Sequence, residues 1–331
     1  MSDSTPRFSL YKSLEFAKTL FGIEATGSPL PSERDQNFML TTPRNERYIL
    51  KIANSDEPRE VLDLQNSALR HLQMNRPHIP VPAVKSALNG SDIAAIADRT
   101  GRSFFVRLLT WLEGDLLVHS VPHQPELIAS LGEALAHVDC GLQSFVHSAT
   151  VRQLHWDIRH AELALQHLPL IPPRRRAILC RFADIWGRID WRTLRQGIIH
   201  GDANDYNVLV KDNRVVGFLD FGDMVHSAIA CDLAIALAYI MLDKAQPLEA
   251  AARTAQAYHK VFRLLPAEVD ALYPLVTARL CMSVCYAAYN AQTKSDDAYQ
   301  QVTSAPAWAL LEQLDGLPQA QAISTFRESC S

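Results

Sequence analysis

The sequence predicts an α+β fold in two lobes, a small β-rich lobe over 1–110 followed by a larger helical lobe over 111–331. Three observations carry this. Strand-like alternation marks much of the first third, and helical spacing of apolar residues marks most of the remainder. Strands and helices do not alternate in the βαβ manner that builds a parallel sheet. A chain of 331 residues is also long for one core, so two lobes joined near Thr110–Gly114 are the natural division.

The elements follow in order. Residues 8–21 read as an amphipathic helix, with Leu10, Leu14, Ala17, Leu20 and Phe21 on one face and Gly22 at its end. Asn37–Thr42 and Arg47–Ile52 alternate as strands and are joined through Pro43-Arg-Asn-Glu46, a hairpin. Pro58 opens a helix marked by Val61, Leu64, Leu69 and Leu72, which Pro77, Pro80 and Pro82 break. Ile93–Ile96 and Phe104–Leu109 read as further strands. Past Gly114, helices are expected near 125–139, 152–168, 174–186, 228–243, 247–263, 267–292 and 305–314. Two short strands interrupt them, Val208–Val210 and Val215–Leu219.

A hydrophobic content of 48% and a charged content of 21% describe an ordinary globular chain. A net charge of −4 leaves no basic footprint for nucleic acid, and the triplet Arg174-Arg175-Arg176 reads as the start of a solvated helix. The six cysteines form no Cys-x-x-Cys pair and suit a reducing compartment; Cys281 and Cys285 share a helix face and read as small hydrophobes. Met1–Arg7 holds no apolar signal core, and the longest apolar stretch, Leu233–Leu242, is half a bilayer span. A cytoplasmic protein with no membrane partner is expected.

The chemistry gathers in one segment. His200-Gly-Asp-Ala-Asn-Asp-Tyr-Asn207 runs into the strand Val208–Val210, and Asp220-Phe-Gly-Asp223 follows thirteen residues after Asn207. Phosphoryl transfer needs a carboxylate at the attacking hydroxyl, oxygen ligands for Mg²⁺, a cation on the phosphates and a loop over them. Asp202 is placed to accept the hydroxyl proton. Asn207, five residues on, and Asp220, delivered by the hairpin, are oxygen donors suited to hard Mg²⁺. An isolated Asp-x-x-x-x-Asn is a weak signal; its coupling to a strand and an Asp-Phe-Gly in this order is a strong one.

These motifs resemble the aminoglycoside phosphotransferase/choline kinase superfamily, whose enzymes share the protein-kinase-like two-lobed fold. Protein kinases usually carry Arg where Gly201 stands, and no Ala-Pro-Glu segment follows Asp220, which disfavours a protein substrate. The resemblance implies that Lys51 is the phosphate-binding lysine. Its usual helix carboxylate is missing, and Gln65 stands at the matching position as Lys51's expected partner. Residues 32–38, with Ser32, should cover the phosphates although they contain no glycine. Leu109–Leu112, including Thr110, should be the hinge whose backbone holds the purine. His200 is expected to prop the catalytic loop, Asp223 to lie near metal or substrate, and Asp232 to be a buried carboxylate accepting amide bonds from the loop.

Four segments are similar to the hydroxylysine kinases: Leu30–Phe38, Val106–Gly114, His200–Asn207 and Gly217–Met224. That likeness implies a small amino alcohol, 5-hydroxylysine, as acceptor and GTP or ATP with Mg²⁺ as donor. Arg279 matches an arginine of that group and would clamp the acceptor's carboxylate. Asp205, Asp223, Trp156 and Asp157 are candidates for its ammonium groups. Two other readings stay open. One is a kinase of an aminoglycoside, homoserine or choline. The other is a nucleotide-binding pseudokinase, which the glycine-free loop favours and the retention of Lys51, Asp202, Asn207 and Asp220 opposes.

Overall fold

Leu10–Phe21 forms α1, capped by Ser9, whose hydroxyl accepts from the Lys12 amide. The computed structural model describes residues 4–32, 34–76, 78–293 and 298–331. After α1 come β1 (Thr26–Leu30), β2 (Gln36–Thr41), β3 (Arg47–Ile52), α2 (Arg59–Asn75), β4 (Val84–Lys85), β5 (Ala94–Ala97) and β6 (Ser103–Thr110). The strands form one sheet in the order β1–β2–β3–β6–β4, with β5 also on β6. Its ladders are antiparallel. The alternation read from the sequence sets which face is buried. Phe38, Leu40, Leu50, Ile52, Val106 and Leu108 turn into a core completed by Phe16, Ala17 and Phe21 of α1. Strand β1 lies outside the expected hairpin because Thr-Gly-Ser-Pro-Leu has no apolar alternation; as an edge strand it tolerates Gly27 and Pro29.

The remaining elements are β7 (Asp115–Leu116), α3 (Pro125–Leu142), α4 (Pro173–Trp186), β8 (Gln196–Ile199), β9 (Val208–Lys211), β10 (Arg214–Phe218), β11 (Val225–Ala228), α5 (Ala230–Ile240), α6 (Pro247–Val261), α7 (Pro266–Thr293), α8 (Ala298–Asp315) and α9 (Gln319–Ser329). Strands β10, β9 and β7 make one small sheet, and β8 pairs antiparallel with β11. The helix expected over 152–168 is instead a 3-10 segment, Ile158–Leu170. Asp157 caps its start, His160 breaks the helical backbone and Pro169 lies near its end. In α3, a side chain at Gly132 would overlap the backbone of Thr254 in α6, so glycine sets how closely these helices approach.

Helix α5 is apolar all round, and every residue except Tyr239 is buried. Helix α7 is long and apolar enough to cross a membrane by length and composition, beyond the stretch the sequence singled out. Of its most apolar window, 83% is buried in the fold, as in a core helix. Cys281 and Cys285 lie buried on it, and all six cysteines are free. In the arginine triplet, Arg175 pairs with Glu312 and Arg176 donates to the Ile171 carbonyl.

The chain divides into two compact units, Met1–Glu113 with Gly217–Gly222, and Gly114–Val216 with Asp223–Ser331. The Asp-Phe-Gly segment therefore belongs with the sheet-rich unit.

Candidate active site

In the helical unit, β8 ends at Ile199 and the chain turns through His200–Asn207 into β9. Asp232, at the start of α5 and fully buried, fixes this turn: Oδ2 accepts the His200 amide and Oδ1 the Gly201 amide, both at 2.9 Å. These are the amide bonds expected of it. The His200 ring is fully buried, and its Nδ1 accepts the Asp202 amide at 3.2 Å, so it braces the loop. Gly201 has φ 82, and a Cβ there would overlap the backbone oxygen of Asp223. Only glycine fits, which explains the departure from the Arg of protein kinases.

Asp202 is held on both carboxylate oxygens. Oδ1 accepts from Arg279 Nη2 at 2.7 Å; Oδ2 accepts from Asn204 Nδ2 at 2.9 Å and Asn207 Nδ2 at 2.8 Å. Asn207 Nδ2 also donates to the Asp202 carbonyl at 2.9 Å, so its side-chain amide nitrogen is turned toward Asp202. The Asp202 side chain is 20% exposed and Arg279 is 3% exposed, so a reachable carboxylate rests on a buried guanidinium.

Arg279, expected at the acceptor's carboxylate, donates to Asp202, to the Trp156 carbonyl at 3.3 Å and to the Tyr239 hydroxyl at 3.4 Å, while its buried Nε has no hydrogen-bond partner. The Trp156 ring lies 4.7 Å from the guanidinium, so this ring's cation–π contact is with Arg279. Asp157, buried, accepts from the Ser227 hydroxyl and the Arg159 amide and serves as a cap.

Asp205 differs. It is 8% exposed, its Oδ1 has no hydrogen-bond partner, and burial, with Asp202 adding to it, pushes its carboxyl up to about 6. Asp223 is half-buried beside Gly201.

Sequence reasoning missed Asp139 of α3. It is fully buried, accepts the Tyr258 hydroxyl at 2.5 Å, and is pushed well above the carboxylate range by burial and by neighbouring Asp232. It neighbours Asp232, the carboxylate that shapes the loop. One signal was available: an acidic residue in the middle of an apolar helix.

In the sheet-rich unit, Lys51 of β3 and Arg107 of β6 are register partners. Gln65 does not take Lys51 as its partner: its Oε1 accepts from Arg107 Nη2 at 2.8 Å, while Arg107 Nη1 donates to Asn66 at 3.1 Å. In the hinge segment, Leu109 is buried, and the Thr110 and Trp111 amides already donate to the carbonyls of Ala83 and Arg47. Ser32 is exposed in the β1–β2 connection, beside Glu33, which lies outside the described residues. Asp220 is exposed at φ 52, and its Oδ1 accepts the Gly222 amide at 3.1 Å. Among the described residues no three His, Cys, Asp or Glu side chains gather as a metal site.

An aspartate held on both oxygens, an asparagine five residues on, a strand lysine and an Asp-Phe-Gly are the residues expected of a phosphotransferase with an alcohol acceptor. The chain belongs to the phosphotransferase enzyme family, which it matches over residues 26–272. It is 27% identical to hydroxylysine kinase from Bos taurus, over 93% of this chain and 90% of that one. It is 28% identical to homoserine kinase from Methylobacillus flagellatus, over 72% of this chain and 70% of that one. Among solved structures it resembles a microcompartment-associated aminopropanol kinase (TM-score 0.74, 18% identity, 94% of this chain and 100% of that one). It also resembles an amicoumacin kinase in complex with AMP-PNP and Ca²⁺ (TM-score 0.72, 17% identity, 95% and 97%). The fold is thus α+β and protein-kinase-like.

Proposed function

We propose that this chain transfers the γ-phosphate of GTP or ATP to the hydroxyl of a small amino alcohol, 5-hydroxylysine first among them, in the cytoplasm and without nucleic-acid or membrane partners. The observation that carries the proposal is the likeness to hydroxylysine kinase along almost the whole chain. The hold on Asp202 supports the chemistry. With Arg279 on one oxygen and two amides on the other, the carboxylate is fixed in one rotamer without losing its exposure. It orients the acceptor hydroxyl and takes its proton as the bond to phosphorus forms. Asn207 and Asp220 would hold Mg²⁺, which neutralises phosphate charge. Lys51 supplies a cation to the phosphates. Asp205, a buried carboxylate with an unpartnered oxygen, suits an acceptor ammonium group, and Asp223, half-buried beside Gly201, is the second candidate.

The likeness to homoserine kinase favours one alternative acceptor. A panel of 5-hydroxylysine, homoserine, an aminopropanol and an aminoglycoside, each with Mg²⁺ and GTP or ATP, separates them. The proposal expects the highest kcat/KM with 5-hydroxylysine. A higher value with homoserine would reject the substrate while leaving the reaction class.

A further inference from the structure

Lys51 and Arg107 stand directly opposite each other on neighbouring antiparallel strands, so both side chains leave the same face of the sheet. The other face is the apolar core formed by Leu50, Ile52, Val106 and Leu108. Two like charges in this arrangement repel, and an arginine only 2% exposed needs its charge compensated. Yet its hydrogen-bond partners, Gln65 and Asn66 of α2, are both neutral amides. Among the described residues no carboxylate is within ion-pair distance of Lys51 or Arg107. Burial lowers the affinity of Arg107 for its proton, and Asp35, Asp220 and Glu57 offset this only from a distance. Among the described residues the face thus carries two cations and no bonded anion.

We propose that Arg107 is a positioning residue of the phosphate site. It holds the Gln65 amide, leaves Lys51 without a helix partner, and adds its own fixed charge, so that the pair is completed by the polyphosphate of the nucleotide. This rests on the kinase reading above and deepens it. In the usual arrangement a helix carboxylate neutralises the strand lysine before nucleotide arrives. Here the ligand itself is the missing anion, so affinity rises steeply with the number of phosphate charges and falls steeply with salt.

Gln65→Glu tests this with little change of volume. The new carboxylate sits where Arg107 already donates, so the free protein melts at the same temperature or higher. Affinity for the Mg²⁺ complex of a non-hydrolysable triphosphate nucleotide, and for tripolyphosphate alone, falls at least tenfold. The salt dependence of binding becomes shallower, and the acceptor KM stays unchanged. Arg107→Met, checked for folding by its melting transition, lowers nucleotide affinity in the same direction. A purely structural Arg107 would move the melting temperature and leave the salt slope alone. Binding by Gln65→Glu as tight as that of the wild type overturns the proposal. Wild-type protein that binds no nucleotide overturns the kinase reading instead, so the two failures are distinct.

Discussion

Replacing Asp205 by Asn removes a buried carboxylate while keeping its shape, and the structure fixes the sign and size of the effect. The unfolded carboxyl ionises near 3.8 and the folded one near 6, chiefly because burial disfavours the charge. Below pH ~4 both states are protonated, and this group costs nothing. Between the two values the unfolded chain ionises while the folded one does not, so stability falls by about 1.4 kcal/mol per pH unit. Above about 6 the loss is complete, about 3 kcal/mol for a shift of roughly two units. Asp205→Asn should therefore be more stable than wild type at pH 7, with the difference shrinking to nothing near pH 4. Urea denaturation at intervals from pH 4 to 8 reads this as the gap between two curves, which cancels the other carboxylates. A gap that does not change with pH would refute the reasoning. If Asp205 also receives the acceptor's ammonium group, the acceptor KM of the wild type falls as pH rises through about 6, and the variant loses that dependence.

Three other perturbations follow from the loop's supports. Gly201→Ala must adopt φ 82 and displace the Asp223 backbone, so denaturation should show a loss larger than the 1–2 kcal/mol (roughly) of left-handed strain alone; a smaller loss would mean that the turn is loose. Arg279→Met removes a charge-assisted bond to Asp202 of roughly 1.5–3 kcal/mol, so kcat should fall by about 10- to 150-fold with the nucleotide KM unchanged. Steady-state kinetics that instead show only a raised acceptor KM would return Arg279 to the carboxylate-clamp role. Asp139→Asn keeps an acceptor for the Tyr258 hydroxyl, so calorimetry should place it within about 1 kcal/mol of wild type, whereas Asp139→Leu strands that buried hydroxyl and loses about 2 kcal/mol or more. Equal stability of the two variants would deny the buried network.

What the sequence revealed and what it concealed divide along contact range. His200–Asn207 and Asp220–Asp223 are contiguous, and their spacing alone marks the chemistry. Asp232 was legible because a carboxylate at the head of a wholly apolar helix has to be compensated. The pairings were not legible. Arg279 meets Asp202 across 77 positions, Tyr258 meets Asp139 across 119, and Arg107 meets Gln65 across 42. Nothing local tells a guanidinium which acceptor it will reach. Hence Arg279 was expected at the acceptor and Gln65 at Lys51. The short strands β1, β8 and β11 escaped for a related reason: pairing to a neighbour defines them, and they contain too few residues to show alternation.

The most direct test is to incubate the purified chain with 5-hydroxylysine, Mg²⁺ and GTP or ATP and follow the acceptor by mass spectrometry. A phosphorylated acceptor should form with the wild type, and Asp202→Ala should make it roughly 10²- to 10⁴-fold more slowly while still binding nucleotide. Nucleotide consumed with no phosphate on any amino alcohol, or an Asp202→Ala rate equal to wild type, would contradict the assignment.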